Sequence, residues 1–138
     1  MLRIVDWPAA QALAMPVRTA VFVAEQGVPW ELEHDEFDAV SRHALAWCGG
    51  DVVGTGRLLP DGHVGRMAVL AGHRGRGIGS AILRALLTEA HALGMHRIEL
   101  HAQLAAVDFY RRHGFQAQDE RFLEAGIVHV LMRHTGAD

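Results

Sequence analysis

Lysine is absent from this 138-residue chain, and all 13 basic residues are arginine. Such a bias reflects genome composition more often than selection for guanidinium chemistry. Cysteine is nearly absent. Cys48 has no second thiol for an internal disulfide, zinc site or redox pair, so it reads as a small buried strand residue. A basic excess is missing too. The net charge of −3 and pI near 6.3 exclude a cationic surface for nucleic acid, so any bound anion must be caught locally. No apolar run approaches the roughly 20 residues of a membrane span, and Asp6, Trp7 and Pro8 follow Leu2 too soon for a signal-peptide core. These absences predict a soluble, cytoplasmic protein without a nucleic-acid or membrane partner. The ten histidines form no His-Glu-x-x-His or His-x-x-x-His pair, so no metal site is expected.

What is present is a patterned chain, half hydrophobic, with no repeat, low-complexity stretch or linker at which to divide it. A single domain over 1–138 is expected. Leu2 to Val5 reads as a strand, and Asp6 with Pro8 as a helix entry. Pro16 is expected to interrupt that helix, after which Val17, Val21 and Ala24 form one stripe ending near Gly27 and Pro29. Trp30 to Asp38 is strongly acidic. His43–Cys48 and Val52–Leu59 read as strands joined at Gly49-Gly50, and Val64–Leu70 as another after the turn Pro60-Asp61-Gly62. Ile78, Ile82, Leu86 and Ala90, with Leu83 and Leu87, mark one broad buried helix stripe ending at Gly94. Arg97–Ala102 reads as a strand, Ala105–His113 as a helix, and Phe115–Leu123 with Ile127–Arg133 as a last hairpin. The mixture is α/β or α+β around a central sheet.

Between Val69 and Ser80 the order is strand, glycine-rich turn, helix N-terminus. Backbone N–H groups at a helix start lack intrahelical partners and lie at the positive end of the macrodipole, so they bind phosphate oxygens. Gly75, Gly77 and Gly79 clear side chains from that approach, while Arg74 and Arg76 add positive charge. Ile78 stands where a P-loop needs lysine, and Ser80 where a dinucleotide fingerprint needs glycine. What remains is Arg74-x-x-Gly77-x-Gly79, similar to the coenzyme A pyrophosphate motif of the GNAT acetyltransferase superfamily. Gln103-x-x-Ala106-x-x-Phe109-Tyr110-x-x-x-Gly114-Phe115 resembles the second GNAT signature, with Gln103 where asparagine is common. Val21-Phe22-Val23-x-Glu25-Gln26-x-Val28-Pro29, the acidic stretch and Gly126-Ile127-Val128-His129 resemble the ElaA-like branch.

The resemblance spans nearly the whole chain. It implies a mixed sheet of six to seven strands, splayed in the middle and flanked by about four helices. It further implies acetyl-CoA as co-substrate, with pyrophosphate on Arg74, Gly75, Arg76, Gly77, Ile78, Gly79 and Ser80, and the pantetheine arm along Met67, Ala68 and Val69. Gln103 and Phe109 would meet the same arm. Tyr110 reads either as the general acid that protonates the departing thiolate or as a core aromatic beside Phe109. A base must also deprotonate an ammonium whose pKa is near 10 in water. Glu33, Asp35 and His129 are the candidates, the carboxylates alternatively being solvated loop residues and His129 a structural one. Arg111 and Arg112 meet coenzyme phosphates or solvent. The implied activity is acetyl transfer to a primary amine of a small molecule or peptide, by a monomer or homodimer. A non-catalytic acyl-CoA sensor or interaction module is the alternative.

Overall fold

The computed structural model describes residues 1–135; the last three residues of the expected 1–138 domain lie outside these. Seven strands form one sheet in the order β1-β2-β3-β4-β5-β7-β6, with four α-helices around it. The strands are β1 (Leu2–Val5), β2 (Arg42–Cys48), β3 (Asp51–Leu58), β4 (His63–Val69), β5 (Glu99–Gln103), β6 (Phe115–Glu124) and β7 (Ile127–His134). The helices are α1 (Trp7–Arg18), α2 (Trp30–Glu33), α3 (Ile78–Ala92) and α4 (Val107–Arg111).

The two faces follow from strand alternation. Ala44 and Ala46 of β2 face the cluster around Ile82, Leu83 and Leu86 of α3, while Leu45 between them packs against Ala10 and Ala14 of α1. α3 can lie close on β3 because Gly54 and Gly56 present no side chain. A Cβ there would stand 2.8 Å from Ile82 Cδ1 and 2.9 Å from Leu86 Cδ1 respectively.

Every neighbouring pair is antiparallel except β4 and β5, which are parallel and pair only at His63↔Glu99 and Val64↔Leu100. Beyond Val64 the two strands part. A register shift between β3 and β4 coincides with Arg66 at φ 49°, a left-handed residue that bends β4 away. The expected splay is therefore present, and it opens a crevice in the middle of the sheet.

Three expectations are corrected. Pro16 does not interrupt the first helix. α1 runs through it and continues as a π-helical segment, Thr19–Glu25, so the donor lost at Pro16 and the crowding of its ring are absorbed within a continuous helical path. The wider π winding, with Gln26 N–H donating to Val21 O at 3.1 Å, turns Ala24 to solvent and leaves only Val17 and Val21 of the predicted stripe buried. Cys48 is exposed, since it ends β2 beside the Gly49-Gly50 turn, where sheet coverage runs out. The acidic stretch is only partly solvated: Glu33 and Asp38 are among the most deeply buried polar side chains.

Candidate active site

The crevice is one cavity of about 980 Å³ with two chemically distinct ends. At one end β4 delivers Met67, Ala68 and Val69, and the chain then turns through the glycines into α3. Gly75 and Gly77 have φ of 79° and 80°, and a Cβ on either would meet nothing within 4 Å. These glycines serve backbone conformation and open approach. Gly77 caps α3 without any side-chain hydrogen bond, so the first N–H groups of this 15-residue helix are not claimed by a cap. A phosphate or pyrophosphate fits that cradle. Phe109 closes over Gly79, where a Cβ would lie 3.6 Å from the ring. Ser80 Oγ is hydrogen-bonded at 2.9 Å to His113 Nε2, tying α3 to the chain just after α4.

The charges at this end are not all available. Arg74 is bidentate to Glu25, with both bonds at 2.7 Å, and its Nε donates to Val69 O at 2.9 Å. Its side-chain bonds hold the exposed Glu25 carboxyl below the usual range. Arg76 is exposed and does not line the cavity. Arg112 lines it, whereas Arg111 is 3.4 Å from Asp108 on the helix surface. Gln103 and Gln26 are paired side chain to side chain at 2.9 Å, so the glutamine in the asparagine position reaches the π-helical segment.

Tyr110 stands at the centre. Its hydroxyl is 3.9 Å from Met67 Sδ on the splayed strand, and burial pushes the phenol up to about 12. It is thus a protonated donor at neutral pH, aimed at β4 from across the crevice.

The other end is lined by Glu33, Asp35, Arg57 and Arg66, with Arg18 and Asp38 buried outside the lining. Arg18, 1% exposed, bonds Glu33 Oε2 and Asp38 Oδ1 at 2.8 Å each. Arg57 bonds Asp38 at 3.0 Å and Asp35 at 2.7 Å. Arg66 reaches Asp35 Oδ2 at 3.2 Å and the Glu33 carbonyl at 2.8 Å. Three guanidinium groups thereby meet three carboxylates. Burial opposes the Asp38 charge, but the hydrogen bonds and charges of Arg18 and Arg57 outweigh it and hold the carboxyl below its ordinary value. Glu33 and Asp35, two of the expected bases, therefore lie in a structural ion network rather than a solvated loop. Within the network, Glu33 Oε1 and Arg57 Nε are buried without a hydrogen-bond partner.

The third, His129, lies on β7 next to β5 in register with Gln103. Its neighbours were not foreseen. His101 Nδ1 donates to Glu124 Oε1 at 2.9 Å, which raises His101 and lowers Glu124. His63 stands edge-on to His101 at 5.6 Å. Strand alternation could have found His101, two residues before Gln103 and on the same face. Nothing local marks Arg18, Arg57, Arg66 or Glu124.

An acetyltransferase (GNAT) domain model matches residues 10–135. The chain belongs to the GNAT acetyltransferase family. An uncharacterized N-acetyltransferase of Bacillus subtilis, YjcF, is 42% identical over 86% of this chain and 88% of its own length. The crystal structure of an acyl-CoA N-acyltransferase from Pseudomonas aeruginosa superposes with TM-score 0.87 at 30% identity, covering 98% of this chain and 99% of that one. The structure of Escherichia coli ElaA matches with TM-score 0.85 at 26% identity over 98% and 99%. In this GNAT chain, among the described residues, no helix is long and apolar enough to cross a membrane.

Proposed function

We propose that this single GNAT domain over 1–138 transfers an acetyl group from acetyl-CoA to a primary amine of a small molecule or peptide by direct attack. The observation that carries the reading is the splayed β4 edge, with the unclaimed N-terminus of α3 at one end and a partly buried, protonated tyrosine hydroxyl facing its middle. Pyrophosphate would lie on the Gly75–Ser80 turn, and the pantetheine arm would run along the crevice side of Met67, Ala68 and Val69 beside Gln103 and Phe109, displacing Arg74 Nε if it takes the Val69 carbonyl.

An ammonium first gives one proton to a base; the freed electron pair attacks the thioester carbonyl. As the C–S bond breaks, sulfur takes the Tyr110 proton and Tyr110 recovers one from the nitrogen, so each turnover releases one proton through the base. A phenol at about 12 looks a poor acid for a thiolate. Burial would also disfavour a thiolate, however, so sulfur departing in the same crevice would hold a proton more tightly than in water. Of Glu33, Asp35 and His129, the two carboxylates accept from guanidinium groups, and His129 is the base we favour.

The test is calorimetric titration with CoA and acetyl-CoA, followed by thiol release with a panel of amines. Saturable binding with amine-dependent release is expected. Absence of heat and of any melting shift at saturating coenzyme would refute the reading.

A further inference from the structure

Glu124 Oε2 and His129 Nε2 face one another at the proposed acceptor end, too far apart for a direct hydrogen bond. His129 Nδ1 lies 2.7 Å from the Ile127 carbonyl, which can only accept, so the neutral imidazole carries its proton on Nδ1 and a lone pair on Nε2. Nε2 is 3.8 Å from Glu124 Oε2, a second acceptor. An ammonium, which brings several N–H donors on one nitrogen, can bridge two acceptors at that separation. His129 is only 7% exposed and lines the cavity, so the donor must come from there.

The local fold holds the pair in place. Ala125 and Gly126, at φ 51° and 78°, make the tight turn that sets Glu124 opposite Ile127, although the left-handed conformation strains an alanine. Glu124 Oε1 is already fixed by His101, leaving Oε2 towards His129.

Charge and shape then restrict the ligand. The charges of Arg18, Arg57 and Arg66 are matched by those of Glu33, Asp35 and Asp38. That leaves Glu124, which His101 bonds through Oε1 only, as the cavity carboxylate at this end outside the guanidinium network. Leu32, Phe37, Leu59 and Ile127 supply apolar wall.

We propose that Glu124 and His129 jointly receive the acceptor's ammonium group, and that the acceptor is a primary amine on an apolar body lacking a carboxylate. This rests on the acyl-transfer reading above. One ammonium N–H donates to Glu124 Oε2 and a second to His129 Nε2; the second N–H bond breaks, Nε2–H forms, and the electron pair stays on the amine nitrogen. The imidazolium then faces a carboxylate. Other charged or titratable groups around the pair are Arg66 and His63 on β4 and His101 and Glu99 on β5.

The experiment follows the His129 ring nitrogens by NMR in the CoA-loaded full chain, titrated with 2-phenylethylamine or with phenylalanine. Saturable movement of His129 Nε2 by 2-phenylethylamine is expected, with far weaker binding of phenylalanine. Glu124→Gln should weaken the amine by roughly tenfold or more, as loss of a charge-assisted hydrogen bond does, without altering CoA affinity. An unmoved His129, equal binding of both probes, or equal amine affinity in the variant would overturn the proposal. CoA binding, measured separately, reports on the acyl-transfer reading, and the amine arm can be repeated without coenzyme if that reading fails.

Discussion

The two ends of the cavity are built in opposite ways. The coenzyme end is largely main chain: left-handed glycines, a helix start and an unpaired strand edge, all within Met67–Ser80. The end proposed for the acceptor is side chain, assembled from α2, the segment after it, β3, β4, β5, β6 and β7, with Arg18 of α1 bonded to it from outside the lining. A site of contiguous backbone tolerates change outside its short motif, whereas a site of converging charges depends on each partner. The difference predicts how each end fails.

The largest effect should come from Arg18→Met. Removing this cation leaves Glu33 and Asp38 buried with one fewer counter-charge each, a class of change that costs about 3–5 kcal/mol. Chemical denaturation should show that loss; a variant as stable as wild type would mean the network is energetically idle. The same network predicts an acid limb. Asp38 is depressed in the folded state, so its contribution is complete above its unfolded pKa of about 3.9 and vanishes as pH falls through the lower folded value. Asp38→Asn should flatten stability over that window.

At the glycine-turn end, Gly77→Asp should weaken CoA by roughly a hundredfold or more relative to Gly77→Asn, which carries the same strain at φ 80° without the charge, since a carboxylate would occupy the anion cradle. Calorimetry on a variant with native circular dichroism decides it, and unchanged affinity would place the pyrophosphate elsewhere. Between the ends, Tyr110→Phe should lower turnover by roughly ten- to a thousandfold with little change in CoA affinity, because the ring packing survives and the proton does not. An unchanged pre-steady-state acetyl transfer would make Tyr110 a packing residue.

The smallest expected effect tests whether the coenzyme end also contains a regulating side chain. Glu25 accepts both bonds from Arg74, so Glu25→Gln should release the guanidinium and tighten CoA binding by roughly two- to fivefold, an advantage that disappears in high salt. Weaker binding instead would show that Glu25 positions Arg74 for the phosphate.

The sequence by itself determined the order of the strands along the chain, the α3 stripe and the glycine turn, because periodicity and turn chemistry act over a few neighbouring residues, whereas Tyr110 was singled out by family resemblance. It also carried enough resemblance to predict the splay. The tertiary structure alone decided that Pro16 sits inside a continuing helix, that Cys48 is exposed, and that Arg74 is paired with Glu25. It alone joined Arg18, Glu33, Asp38 and Arg57 and brought Glu124 to His129. Those outcomes depend on which residues meet across the fold. The energy of a charge or an acceptor is set by what lies within a few ångströms of it, and no local pattern in the chain encodes that.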